Sequence, residues 1–207
     1  MPVLSEDDQK RVESAVAEAE KKTAAEFVTV IARSSGHFRY LPTLAAAAAM
    51  MLLSAVALVV PWPFSLTVGE FYLGQAVLFI ALFFLFRWRP IRHRLVPRPA
   101  QHARASLRAH QLFLDLGLAS TRDRTGILLF ASLAERYVEI ITDRGVRDVV
   151  DDAAWADALT LFRRGIANGD LTGGFVGAIE HCAAALAEKL PPRPDDRNEL
   201  PDRLVEV

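Results

Sequence analysis

Residues Thr125–Thr142 read TGILLFASLAERYVEIIT. Thr125–Leu133 is an apolar strand, Ala134-Glu135-Arg136 is a turn, and Tyr137–Thr142 is a second strand, so the stretch predicts a β-hairpin. In its second arm Val138 and Ile140 alternate with Glu139 and Ile141, which predicts one partly exposed face. Far upstream, Glu26–Ala32 (EFVTVIA) is rich in β-branched residues and reads as a buried strand. Helical patterns surround these strands. Ser5 offers an N-cap followed by Glu6, Asp7 and Asp8, and Val12, Ala15, Val16 and Ala19 then recur at helical spacing, predicting a helix over 5–24. Further helices are predicted over 100–116, stopped by Gly117, over 151–166 with Trp155, Leu159 and Phe162 on one face, and from Leu171 to Leu190. Gly169–Gly174 reads as a turn plus N-cap for the last of them. A strand, a crossover and a second strand pair in parallel, and the hairpin adds an antiparallel edge. The fold class is therefore α/β: a small α/β sandwich of three or four strands with helices on both faces.

The crossover is unusual. The chain has 207 residues, and 36 of the 47 from Tyr40 to Phe86 are hydrophobic, with Glu70 the one charge among them. Thr43–Val60 (TLAAAAAMMLLSAVALVV) and Phe71–Phe86 (FYLGQAVLFIALFFLF) flank Pro61-Trp62-Pro63-Phe64. Eighteen helical residues reach about 27 Å, close to a hydrocarbon thickness of about 30 Å. Prolines end the first helix, and the aromatics suit a headgroup interface. The block predicts a transmembrane hairpin with spans at about 43–60 and 68–86. Arg87, Arg89, Arg92 and Arg94 follow it, and the turn carries no Lys or Arg, so these four form the membrane-surface cluster. Both termini and the soluble domain are then expected on the cytoplasmic side of a bacterial inner membrane. The organisation is a first half-domain over 1–39, the hairpin over 40–88, a second half-domain over 89–190, and a disordered tail over 191–207. That tail (PPRPDDRNELPDRLVEV) lacks a core-forming pattern.

Composition excludes several functions. With 24 basic and 25 acidic residues the net charge is −1, which argues against a dedicated nucleic-acid binder. One cysteine excludes a disulfide framework and a cysteine-rich zinc site. Cys-x5-Arg, Asp-x-Asp and phosphate-loop motifs are absent, and the histidines form no i, i+4 pair. Asp143 at a strand end, with Asp151 and Asp152 opening a helix, could hold a hard cation such as Mg²⁺ or Ca²⁺. Aspartates at helix starts also serve as ordinary caps.

The pieces Ala25-Glu26-Phe-Val-Thr-Val, Thr121-x-x-Arg124-Thr125-Gly126 through Ile140, Asp143-Arg144-Gly145-Val146, Trp155…Phe162-Arg163-x-Gly165 and Gly174…Ala178-Ile179 carry a resemblance. Together they resemble the TPM domain family of thylakoid lumen and bacterial envelope proteins, here with an internal two-helix membrane insertion. The resemblance implies weak acid phosphatase activity, divalent-metal binding, or an accessory role in a membrane complex. The expected function is a membrane-anchored interaction or accessory module. Its partners would be the lipid bilayer and a membrane protein. The alternative is a weak divalent-metal-dependent acid phosphatase. Where family domains often have an aspartate before a Gly-x-Leu-Ser start, this chain has Pro2-Val3-Leu4-Ser5.

Overall fold

The computed structural model describes residues 3–36, 41–59, 67–87, 96–195 and 197–207, in two compact units. One unit contains the sheet. Its first helix, α1 (Glu6–Glu20), is capped by Ser5, whose side chain accepts from the Asp8 N–H. Val12, Val16 and Ala19 form its buried stripe. Next come β1 (Glu26–Ala32), β2 (Gly126–Ser132) and β3 (Tyr137–Thr142). β1 and β2 run parallel, from Glu26↔Gly126 to Ala32↔Ser132, and β3 is antiparallel to β2. All seven residues of β1 and of β2 are buried. Strands covered on both faces need continuous apolar sequence, and GILLFAS supplies it.

Successive side chains point to opposite faces, which produces two cores. Phe27, Ile31, Ile127 and Leu129 face α1 together with α6 (Asp152–Ala167) and α7 (Leu171–Ala187). Val28, Val30, Leu128 and Phe130 face α4 (Arg98–Asp115), through Ala105, Ala109, Leu112 and Phe113. The expected sandwich with helices on both faces is present. In β3 Val138 and Ile141 are buried and the other four residues half-buried, in line with a partly exposed face, and this half-burial asks for a partner for the Glu139 carboxylate. Glu139 meets this by accepting a hydrogen bond from Ser106 Oγ at 3.2 Å.

The segment 191–207, predicted to be disordered, instead joins the sheet near its end. Val205–Glu206 forms β4, parallel to β1 with Val30↔Val205 and Ile31↔Glu206, and the strand order is β3-β2-β1-β4. Leu204 enters one core, while Leu200 and Val205 pack on the other. A two-residue strand among prolines and charges has no periodicity to betray it; docking comes from apolar side chains finding cores already built.

The second unit holds α2 (Leu41–Val59) and α3 (Val68–Arg87), which pack on each other. Gln75 Nε2 donates to Ser54 Oγ at 2.6 Å across the pair. Glu70 closes a capping box at the start of α3. Its carboxylate accepts from the Thr67 N–H at 2.8 Å, and Thr67 Oγ1 accepts from the Glu70 N–H at 3.3 Å. Val68–Phe86 is long and apolar enough to cross a membrane, with mean hydropathy 1.9 and none of that stretch buried. Thr43–Ala57 is a shorter apolar run. The expected Pro61–Phe64 turn lies outside the described residues.

α6 and α7 pack tightly enough to require glycine. A Cβ on Gly165 would lie 2.3 Å from the Gly174 Cα. Beside this crossing Phe162 and Phe175 pack with ring centroids 4.6 Å apart. Gly165→Ala is expected to destabilise the domain by about 1–3 kcal/mol through overpacking, read as a lowered denaturant midpoint. An unchanged midpoint would contradict this packing.

Candidate functional site

β1 and β2 begin side by side, and β3 ends beside the start of β2, so three segments meet at one end of the sheet. The loop 121–125 is a tight one. Thr121 Oγ1 accepts from the Thr125 N–H at 3.1 Å and donates to the Leu118 carbonyl at 3.3 Å. Arg124 takes a left-handed conformation (φ 61). Gly145 N–H donates to its carbonyl at 2.9 Å. A Cβ on Gly145 would come within 2.3 Å of the Asp123 carbonyl oxygen, so only glycine admits this approach. That explains why Arg124 and Asp143-Arg144-Gly145 occur together.

Asp143 is 8% exposed and caps the short helix α5 (Arg144–Arg147). Its Oδ1 accepts from the Arg144 N–H at 2.7 Å. Oδ2 is buried, without a hydrogen bond, 3.7 Å from Arg124 Nη1. Asp151 precedes α6 without a side-chain cap, and Asp152 is in its first turn; both are exposed. Among the described residues no three His, Cys, Asp or Glu side chains form a group able to hold a metal ion. Asp143, Asp151 and Asp152 thus do not form one three-carboxylate group of the kind that supplies several convergent oxygens to Ca²⁺ or Mg²⁺. Cys182 is buried in α7, and burial pushes its thiol up to about 12, the opposite of a nucleophile. Asp170 caps α7, accepting from the Gly173 N–H at 2.8 Å, so Gly169–Gly174 is the turn plus cap its sequence predicts. Arg89, Arg92 and Arg94 lie outside the described residues, and Arg87 ends α3.

Two features escaped the sequence. The first is a polar cleft of about 510 Å³ at this end of the sheet. Glu26, Arg122 and Asp123 supply one wall, and the C-terminal strap supplies the other through Arg193, Asp195 and Glu199. Arg122 Nη1 meets Asp195 Oδ2 at 3.2 Å, Arg193 pairs with Asp123, and the Arg122 N–H donates to Glu199 at 3.0 Å. Glu26, 7% exposed, accepts from two successive backbone N–H groups, Glu199 and Leu200, each at 3.2 Å. The only available clue was an acidic residue opening an otherwise apolar strand. The second feature is at the opposite end. Glu135, 6% exposed, accepts from Ser34 Oγ, the Ser35 N–H and the Gly36 N–H at 3.0–3.2 Å, and from Ser132 Oγ. It pins the chain where it leaves the sheet. Open parallel sheets bind ligands at the carboxyl ends of their strands, and here that place is filled by the protein's own carboxylate.

Residues 94–185 match the family model described as the TPM domain. This stretch is a TPM domain. The match takes in the 121–125 loop, the hairpin, the Asp143–Gly145 turn, α6 and most of α7, and leaves out α1, β1 and the strap. The fold is similar to that of the BA42 protein from the psychrophilic bacterium Bizionia argentinensis, solved by NMR. The TM-score is 0.62 at 18% identity, over 100% of this chain and 97% of that one. No curated protein matches the chain.

The Arg122 hydrogen bond holds the Asp195 carboxyl below its ordinary 3.8. A carboxyl whose folded value is lowered stabilises the docked strap fully above the ordinary value, and that support is lost as pH falls through the folded value. An NMR titration of Asp195 is expected to give a midpoint below 3.8 that returns towards it in Arg122→Ala. A native midpoint at or above the ordinary value would rule the contact out.

Proposed function

We propose that this protein is a membrane-anchored TPM domain acting as an interaction or accessory module in a complex of a bacterial inner membrane. The observation that carries this reading is the apolar surface of α2 and α3. Met51, Leu52, Val59, Val68, Leu73 and Phe84 are each 65–82% exposed. Water-soluble surfaces rarely carry so large an apolar patch, whereas lipid accepts it because helices satisfy their own backbone. Two spans follow if α2 crosses with α3, and the Gln75–Ser54 hydrogen bond is the kind of polar link that joins helices within a bilayer. Arg87, Arg89, Arg92 and Arg94 would then sit at the inner headgroups, with both termini cytoplasmic.

The full chain is expected to stay in the membrane pellet after alkaline carbonate washing, and a variant lacking residues 41–87 to leave it. Release of the full chain into the wash would defeat the anchoring. A reporter fused after Leu190 should be active only in its cytoplasm-sensing form.

A second reading, a weak Ca²⁺- or Mg²⁺-dependent acid phosphatase, has Asp143 on its side, a carboxylate nine-tenths buried beside Arg124. Under the accessory reading, hydrolysis of p-nitrophenyl phosphate with either cation should be no faster than for Asp143→Ala. A clear excess over that variant would move the assignment to phosphatase.

A further inference from the structure

α4 is apolar on two opposite sides. Ala105, Ala109, Leu112 and Phe113 face the sheet. Leu107 and Leu114, at i and i+7 on the far side of the helix, are 51% and 67% exposed. Outside α2 and α3 no other large apolar side chain among the described residues is as exposed, Leu161 and Val207 coming next at 43% and 42%. Around the two leucines the charge is of one sign. From Arg87 to Leu114 the chain carries seven arginines and no Asp or Glu. Within α4, Arg98 and Arg104 are exposed and Arg108 is half-buried. None of these three has an ion pair among the described residues. The outer face of α1 is built differently: Glu6, Asp7, Lys10, Arg11 and Glu18 mix both signs, as a solvated helix does.

We propose that the outer face of α4 docks on the surface of an anionic phospholipid bilayer, with Leu107 and Leu114 entering the acyl boundary and Arg98, Arg104 and Arg108 meeting lipid phosphates. This deepens the anchored reading given above and rests on it. Basic helices with leucines on the outer side bind bilayer surfaces by combining buried apolar area with attraction to anionic headgroups. Position in the chain favours the same partner, since α4 begins at Arg98, eleven positions after α3 ends at Arg87. An anchored α3 would therefore keep α4 within reach of one leaflet. Nucleic acid, the other polyanion, gains nothing from exposed leucines, and a net charge of −1 argues against it.

The test uses the full chain in nanodiscs of phosphatidylglycerol mixed with phosphatidylcholine, or of phosphatidylcholine alone. A fluorophore is attached at Leu107→Cys or Leu114→Cys, with Ser14→Cys on the exposed side of α1 as the reference; Cys182 is buried and stays unlabelled. Bromine on the lipid acyl chains reports immersion, and aqueous iodide reports exposure. In anionic discs the fluorophore on α4 is expected to be quenched by brominated lipid and shielded from iodide, and the one on α1 to behave in the opposite way. Arg104→Glu with Arg108→Glu, or a change to uncharged discs, is expected to lower the ratio of docked to free helix about tenfold or more. An α4 fluorophore open to iodide, in a chain that stays in the disc, would overturn this proposal and leave the anchoring intact. Shielding from iodide without quenching by brominated lipid would overturn it in favour of a protein partner. Immersion indifferent to both the charge reversal and the lipid charge would overturn it as well. A chain that never enters the disc defeats the anchored reading and this one with it.

Discussion

Parallel pairing of β1 with β2 is the constraint on which the rest depends. Seven consecutive residue pairs join segments 100 positions apart, Glu26 with Gly126 at one end and Ala32 with Ser132 at the other. Parallel neighbours cannot be joined by a tight turn, so the chain between them must travel away and return. Closure entropy grows only with the logarithm of that length. A crossover over residues 33–125 is about three doublings longer than a minimal dozen residues, an added cost of about 2 kcal/mol. An entire apolar helical unit therefore fits inside the crossover without changing the sheet. Glu135, caged by Ser34, Ser35, Gly36 and Ser132, fixes the point of departure, so whatever the insertion does need not reach the strand register.

Burying both strands on two faces requires two separate layers of helix. The α1, α6 and α7 layer is built around close approach, with glycine at the Gly165–Gly174 crossing. The opposite layer rests mainly on α4, which follows the apolar unit in the chain. The outer side of β1 would be left as an open edge, a surface that invites pairing with another chain. The C-terminal strap covers it. The protein thus deals with its exposed edge using its own last residues, and in doing so creates the polar cleft at the strand starts.

Much of the architecture is legible because it repeats. Helical spacing in α1, β-branched residues in β1 and the apolar GILLFAS run all report burial by periodicity or its absence. Parts of the site are legible as well. The Arg124-Thr125-Gly126 and Asp143-Arg144-Gly145 motifs do meet, through the close approach of Gly145 to the Arg124 carbonyl. Asp143 spends one oxygen on capping α5 and turns the other towards Arg124, while Asp151 and Asp152 stay at the exposed start of α6. Spacing along the chain placed three carboxylates at the ends of neighbouring elements; it could not say that they fail to converge.

By itself the sequence determined the element types, the parallel pair with its antiparallel edge, and the apolar block within the crossover. Each is a property of local pattern, set by the two periods of 2 and 3.6 residues and by unbroken hydrophobicity. Tertiary structure alone decided the fourth strand, the cage around Glu135 and the cleft between Glu26 and the strap. These depend on residues far apart in sequence meeting in space. A carboxylate that accepts from backbone N–H groups 173 and 174 positions away leaves no mark on its neighbours.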